Sequence, residues 1–197
     1  MSPHLEISAL RHAVGVRSIV LIGMMGAGKT SIGRRLASRL QLAFVDSDSM
    51  IEEAAQRSVR EIFDDYGEDE FRDCERRVIA RILRTPSQVV ALGGGAWTNP
   101  ETRAAVAVRG ISIWLDADIS TLLRRVRRRT SRPLLQNGDA ASMLAKLERE
   151  RRPTYSLADI CVKVEEGRHD QVVDDLIRAL STAVTVSQSR SWQGHAD

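Results

Sequence analysis

The sequence predicts a three-layer α/β domain built on a five-stranded parallel sheet. Short apolar runs rich in β-branched residues recur five times, segments with helical spacing separate them, and several runs stop abruptly at glycine or aspartate. Continuous apolar runs of this length suit strands covered on both faces, and alternation with helices suits parallel crossovers. At 197 residues, 43% hydrophobic and 28% charged, the chain has the composition of one globular domain.

Residues 1–16 have a polar, non-periodic character and are read as a flexible N-terminal extension, so that the domain proper spans 17–184. The first strand, 17–22 (RSIVLI), stops at Gly23. A helix over 31–40 follows, with Ile32, Leu36 and Leu40 on one side and Arg34, Arg35 and Arg39 on the other. The second strand, 42–45, ends at the acidic pair Asp46 and Asp48. Ser49 with Glu52 and Ser58 with Glu61 both have the S-x-x-E form of a capping box, which predicts two short helices, the second broken at Gly67. From 68 to 83 the apolar set Phe71, Cys74, Val78 and Ile82 predicts a longer helix with Arg72 and Glu75 on a neighbouring face.

The third strand, 88–92 (QVVAL), runs into Gly93, Gly94 and Gly95, and the fourth, 111–115 (ISIWL), into Asp116. An arginine-rich helix over 119–128 leads to SRPLLQNGD, where proline, asparagine and glycine predict a loop. A helix over 140–149, a last strand over 159–164 and a last helix over 171–180 complete the domain. Residues 185–197 lack a usable period and are read as a flexible tail.

No run approaches the roughly 18 to 20 apolar residues of a membrane helix, and the start lacks the features of a signal peptide, so a cytoplasmic protein without a membrane partner is expected. Cys74 and Cys161 have no metal-binding spacing and are read as buried thiols. The net charge is +3, but residues 124–152 carry ten Lys and Arg against three Asp and Glu, so the basicity is concentrated. With only 4% aromatic residues for base stacking, a compact polyphosphate suits this charge better than nucleic acid. A solvated helix face is the plainer alternative. Only Lys29, Lys146 and Lys163 are lysines among 29 basic residues, which singles out Lys29.

The segment 23–30 (GMMGAGKT) satisfies the P-loop pattern between a strand and a helix. Its glycines let successive N–H groups turn towards phosphate oxygens, and the helix N-terminus adds positive potential. Lys29 supplies a mobile charge for the β- and γ-phosphates, and Thr30 offers a hydroxyl to Mg²⁺. Asp46 and Asp48, one residue apart in extended chain, point the same way, Asp46 towards the metal and Asp48 towards the hydroxyl that accepts phosphate. Helix capping by Asp48 competes with that role.

Arg72 and Arg151 are candidate carboxylate clamps, because a guanidinium offers two parallel donors. Glu75 would hold Arg72 in position. Gly93, Gly94 and Gly95 would let a ligand approach the backbone and accept from its N–H groups. Arg132, before Pro133, is placed to act on a transferring phosphoryl group. No histidine lies in these motifs, so phosphoryl transfer here relies on positioning and electrostatics.

GMMGAGKT, the D-x-D of VDSDSMIE, FRDCE, ALGGGA, SRPLL and the R-x-P-x-Y over 151–155 together resemble the shikimate kinase family in order and spacing along about 17–180. The resemblance implies ATP- and Mg²⁺-dependent phosphorylation of the shikimate 3-hydroxyl on the route to chorismate and the aromatic amino acids. It implies a nucleoside-monophosphate-kinase-like fold with a substrate-binding helical segment, about 46–76, and a lid, about 129–141. It also implies that Gly26, Ala27, Gly28, Lys29, Thr30 and Ser31 hold the nucleotide phosphates, with Thr30 and Asp46 at the metal. Asp48, Arg72, Gly93, Gly94, Gly95 and Arg151 would surround shikimate, with Lys29, Asp48 and Arg132 catalytic. Arg125 and Arg168 resemble residues near adenine, Arg124 and Arg152 being adjacent alternatives to Arg125 and Arg151. A monomer is expected. Other small-molecule kinases of this fold, for gluconate or nucleotides, and a non-catalytic P-loop switch remain as competing readings.

Overall fold

The computed structural model describes residues 3–127, 140–165 and 169–193. Strands β1 (Ser18–Ile22), β2 (Ala43–Asp46), β3 (Gln88–Ala91), β4 (Gly110–Ala117) and β5 (Ile160–Val164) form one sheet in the order β2-β3-β1-β4-β5. Every pair is parallel, with Leu21 opposite both Ala91 and Ile113. Helices α1 (Pro3–Val14), α2 (Lys29–Leu40), α3 (Ser47–Ala55), α4 (Val59–Ile82), α5 (Pro100–Arg109), α6 (Ile119–Arg127), α7 (Ala140–Tyr155) and α8 (His169–Gln193) surround it.

Burial follows position in the sheet. Every residue of the inner strands β1, β3 and β4 is buried, as their unbroken apolar runs demand, whereas the edge strand β5 alternates buried and exposed residues. Cys161 lies on the outward side of β5 and is exposed, and Cys74 is half-buried, so the expectation of two buried thiols is corrected. The strand order reverses at β1, whose neighbours are β3 on one side and β4 on the other. Ligands of open parallel sheets collect at the carboxyl ends beside such a reversal, where the turns after β1, β2 and β3 lie together.

The chain's beginning departs from expectation. Residues 3–14 form α1 rather than a flexible extension, and Leu10 and Val14 are buried in the main core. The apolar positions Ile7, Leu10 and Val14 fall three and four apart, a helical period that the flanking polar residues obscured. At the other end α8 continues to Gln193, through much of the segment expected to be a tail, and Val184 packs in the core. Helix α5 was not foreseen either, although Asn99 accepts from the N–H groups of Glu101 and Thr102 and Pro100 sits at its first turn.

Two caps show how local chemistry sets the elements near the site. The Ser58–Glu61 capping box is formed, and Gly67, at φ 82°, kinks α4 where a break was expected. The other expected box is not used: α3 begins at Ser47, capped by Asp46, whose carboxylate accepts from Asp48 N–H. Helices α3 and α4 enclose a small core of their own, Ile51, Ile62 and Phe71, separate from the main core. Because Leu10 fastens α1 to the body, Leu10→Ala should lower stability by about 2 to 5 kcal/mol in urea denaturation. A solvated extension would give no change in midpoint.

Candidate active site

The turn after β1 has the backbone that its glycines require. Gly23, Gly26 and Gly28 have φ of 138°, 84° and 99°, and α2 starts directly behind Gly28. This directs the positive end of α2 into the turn, a ready-made place for phosphate. Lys29 Nζ donates to Gly23 O at 2.8 Å and to Met24 O at 3.1 Å, so the ammonium lies across the loop it serves. From α6, Arg125 Nη1 reaches the carbonyls of Gly26 and Ala27 at 3.3 and 3.2 Å. Arg125 thus touches the phosphate loop directly.

The turn after β2 separates its two aspartates. Because α3 begins at Ser47, Asp48 is helical, and the two carboxylates do not share a direction as extended chain would have had them. Asp46 Oδ2 accepts from Thr30 Oγ1 at 2.7 Å. That bond ties the threonine proton to Asp46 and leaves the hydroxyl lone pairs for a cation. A hydroxyl beside a carboxylate is a hard oxygen donor set that fits Mg²⁺, which keeps much of its shell as water and phosphate oxygen. Asp48 turns instead towards Gly93 and Glu75. Ser47, between the aspartates, is fully buried and accepts from Gly93 N–H at 2.9 Å. This join between the second and third turns was not anticipated, and the Gly93 N–H is therefore already engaged rather than open to a ligand.

The three glycines after β3 are required for space. None has a positive φ, yet each lacks a side chain where another residue's functional group lies. A Cβ on Gly93 would come within 2.5 Å of Asp48 Oδ1 and 2.7 Å of Glu75 Oε1. On Gly94 it would meet Arg151 Nη1 at 3.4 Å, and on Gly95 it would lie 2.5 Å from Arg72 Nη2. Two carboxylates and two guanidiniums thus converge on three residues of bare backbone.

Arg72 is held from both ends. Its Nη1 donates to Glu75 Oε2 at 2.7 Å and its Nη2 to Glu68 Oε1 at 3.1 Å, while its Cζ lies 5.3 Å from the centre of the Phe71 ring. Glu75 is buried, so the pair is not the exposed one that α4's surface alone would suggest. Burial pushes the Glu75 carboxyl above its usual range, Asp48 adds to this, and Arg72 and Arg151 oppose it. Arg151 reaches the site from α7. Its neighbour Arg152 points away, bonded to Asp116 at 2.9 Å and to Glu148, and stacked over Trp114. The helix separates the two arginines: one residue's rotation sends Arg151 to Gly94 and Arg152 to the end of β4. Arg132 and Arg168, with the segment expected to be a lid apart from the start of α7, lie outside the described residues.

A phosphate-binding loop, a hydroxyl–carboxylate pair beside it and a facing cluster of paired charges define a P-loop phosphotransferase acting on a small molecule. The family model for shikimate kinase matches residues 25–181. A shikimate kinase of Bradyrhizobium diazoefficiens is 51% identical over 85% of this chain and 81% of its own length, and one of Brucella canis 44% identical over 95% and 94%. The solved structure of a shikimate kinase from Acinetobacter baumannii in complex with shikimate superposes with a TM-score of 0.82, at 32% identity, covering 88% of this chain and 97% of that one. The chain belongs to the shikimate kinase family, and it is an ATP-dependent kinase.

Gly95→Ala should leave the fold intact, since φ at this position is −95°, but it forces the Arg72 guanidinium to move. Displacing a positioning group by an ångström can cost about a hundredfold in rate. Steady-state turnover falling by that order with little change in the unfolding midpoint is the expected result; unchanged turnover would show that the guanidinium's place is immaterial.

Proposed function

We propose a division of roles for the transfer of the γ-phosphoryl group of ATP to the 3-hydroxyl of shikimate, giving shikimate 3-phosphate and ADP. The observation that carries it is the convergence of Asp48, Arg72 and Arg151 on the glycine turn directly beside the phosphate loop. Main-chain N–H groups over 26–31 hold the triphosphate. Lys29 exchanges its bonds to the loop carbonyls for phosphate oxygens and follows the charge as it develops. Thr30 and Asp46 would hold Mg²⁺, which when bound neutralises charge on the β- and γ-oxygens.

On the acceptor side, Arg72 and Arg151 form parallel donors for the shikimate carboxylate. Asp48 accepts from the ring hydroxyls and points the reacting one at the γ-phosphorus. Glu75 fixes the Arg72 plane and keeps a charge-assisted partner for it before substrate arrives. Asp48 orients the hydroxyl in this account, because a loose phosphoryl transfer demands little of a base. Arg132 and Arg168 are assigned to ATP on the resemblance alone. Among the described residues no helix is long and apolar enough to cross a membrane, and we read the protein as a cytoplasmic monomer acting on small molecules.

ADP release should be measured with shikimate, gluconate and nucleoside monophosphates as acceptors, with and without Mg²⁺. Turnover of shikimate alone, lost when the metal is chelated, is the expected outcome. Turnover of another acceptor with none of shikimate would overturn the assignment. Arg72→Ala should raise the shikimate KM by at least about thirtyfold, since losing a charged clamp typically costs about 2 to 5 kcal/mol, and leave the ATP KM near its original value. Equal rises in both would contradict the clamp.

A further inference from the structure

Among the described residues Tyr155 is the largest fully buried side chain, and no role above uses it. It ends α7, four residues after Arg151, so the two side chains share a helix face. Its hydroxyl donates to Gly94 O at 2.5 Å, and the Arg151 guanidinium lies against the same glycine, 3.4 Å from where a Gly94 side chain would begin. The same oxygen lies 3.8 Å from Met24 Sδ in the phosphate loop. The hydroxyl thus sits between the glycine turn and the phosphate loop, its proton engaged by the Gly94 carbonyl.

The surroundings make this junction rigid. The ring packs against Trp114 with centroids 5.9 Å apart, and Trp97 Nε1 donates to Thr154 O at 3.0 Å, fastening the end of α7 to the turn that follows the glycines. Gly94 itself faces both substrate sides: the space a side chain would take is bounded by Arg151 Nη1 at 3.4 Å, Met25 N at 3.7 Å and Gly23 O at 3.8 Å. Gly23 O is also the carbonyl that Lys29 holds. Lys29 thus holds Gly23 O, Gly23 O and Arg151 Nη1 border the same side of Gly94, and the phenol holds the Gly94 carbonyl.

We propose that Tyr155 is a positioning residue that joins the two substrate sites, its hydroxyl fixing Arg151 and the Gly94 main chain in register with the phosphate loop. The proposal rests on the assignment of Arg151 to the acceptor carboxylate. A nucleotide that orders the loop then also orders the clamp, and the acid returns the same effect, because such coupling is reciprocal.

Tyr155→Phe keeps the ring and removes the hydroxyl. It should raise the shikimate KM by about tenfold, the value of one hydrogen bond; in titration calorimetry the parent should bind shikimate more tightly when ADP is present, and the variant should show less of that gain. A loss of stability alone would not respond to Arg151. The decisive comparison is therefore Tyr155→Phe in an Arg151→Ala background, where no further rise in shikimate KM is expected. Additive rises, or an unaltered KM in the single variant, would overturn the proposal.

A second measurement leaves the fold untouched. The chain has two tyrosines, and Tyr66 is exposed, so 3-fluorotyrosine labelling with Tyr66→Phe as the assignment control isolates the Tyr155 fluorine signal. ADP and shikimate should each shift it, and a signal indifferent to either ligand would refute the coupling. If the parent enzyme does not turn over shikimate at all, the acceptor assignment fails first; if it does and these tests fail, only the role of Tyr155 falls.

Discussion

The site depends on a stretch of backbone without side chains. At Gly93, Gly94 and Gly95 the chain leaves the sheet beside the phosphate loop, and the missing Cβ atoms admit two carboxylates and two guanidiniums to positions no other residues could share. The arrangement is electrostatic as much as steric. Glu75, out of water, would be costly alone, and Arg72 offsets that cost while receiving a fixed plane in return. A guanidinium held in advance loses less freedom when a substrate carboxylate arrives, which is how a rigid clamp gains affinity.

The parallel sheet brings these groups together. The neighbouring strands β2, β3 and β1 present their carboxyl ends at one edge, and each turn supplies a different part: the phosphate loop after β1, Asp46 and Asp48 after β2, bare backbone after β3. The turns are then tied to one another, Thr30 to Asp46 and Gly93 to Ser47. Both bonds run between groups that secondary structure leaves unsatisfied. Residues distant in sequence are thereby held to hydrogen-bond tolerance without a dedicated scaffold. By contrast α3 and α4 close over a core of their own, so the acceptor segment is joined to the body mainly at its ends.

What was legible in the sequence was local. The phosphate loop could be read because its glycines, lysine and threonine act through neighbouring backbone, and the inner strands because burial on both faces leaves an unbroken apolar run. The error at Asp48 has the same origin. Extended geometry was assumed one residue too far, since the carboxylate of Asp46 was free to start a helix at once, and a cap cannot be distinguished from a ligand by residue type. Glycine composition identified the turn after β3 but suggested access for a ligand backbone contact, when the space is filled by side chains from α3, α4 and α7. Helix α1 escaped notice because polar residues interrupt its apolar ones throughout, so that the docking face of Ile7, Leu10 and Val14 did not dominate a window.

The choice between Arg151 and Arg152 illustrates what else had to come from three dimensions. Both are arginines at the end of one helix, and their sequence surroundings are nearly identical. Asp116 decides the matter: buried at the end of β4, it needs a cation, and it takes Arg152 together with Lys163 at 2.7 Å. With Arg152 held there, the helical rotation of about 100° per residue turns Arg151 towards the glycines. A buried carboxylate at the far side of α7 thus orients Arg151, and Tyr155, one turn further along, fastens the same helix to Gly94 beside the phosphate loop. The structure therefore distinguishes adjacent residues of the same type by what each side of α7 has to neutralise.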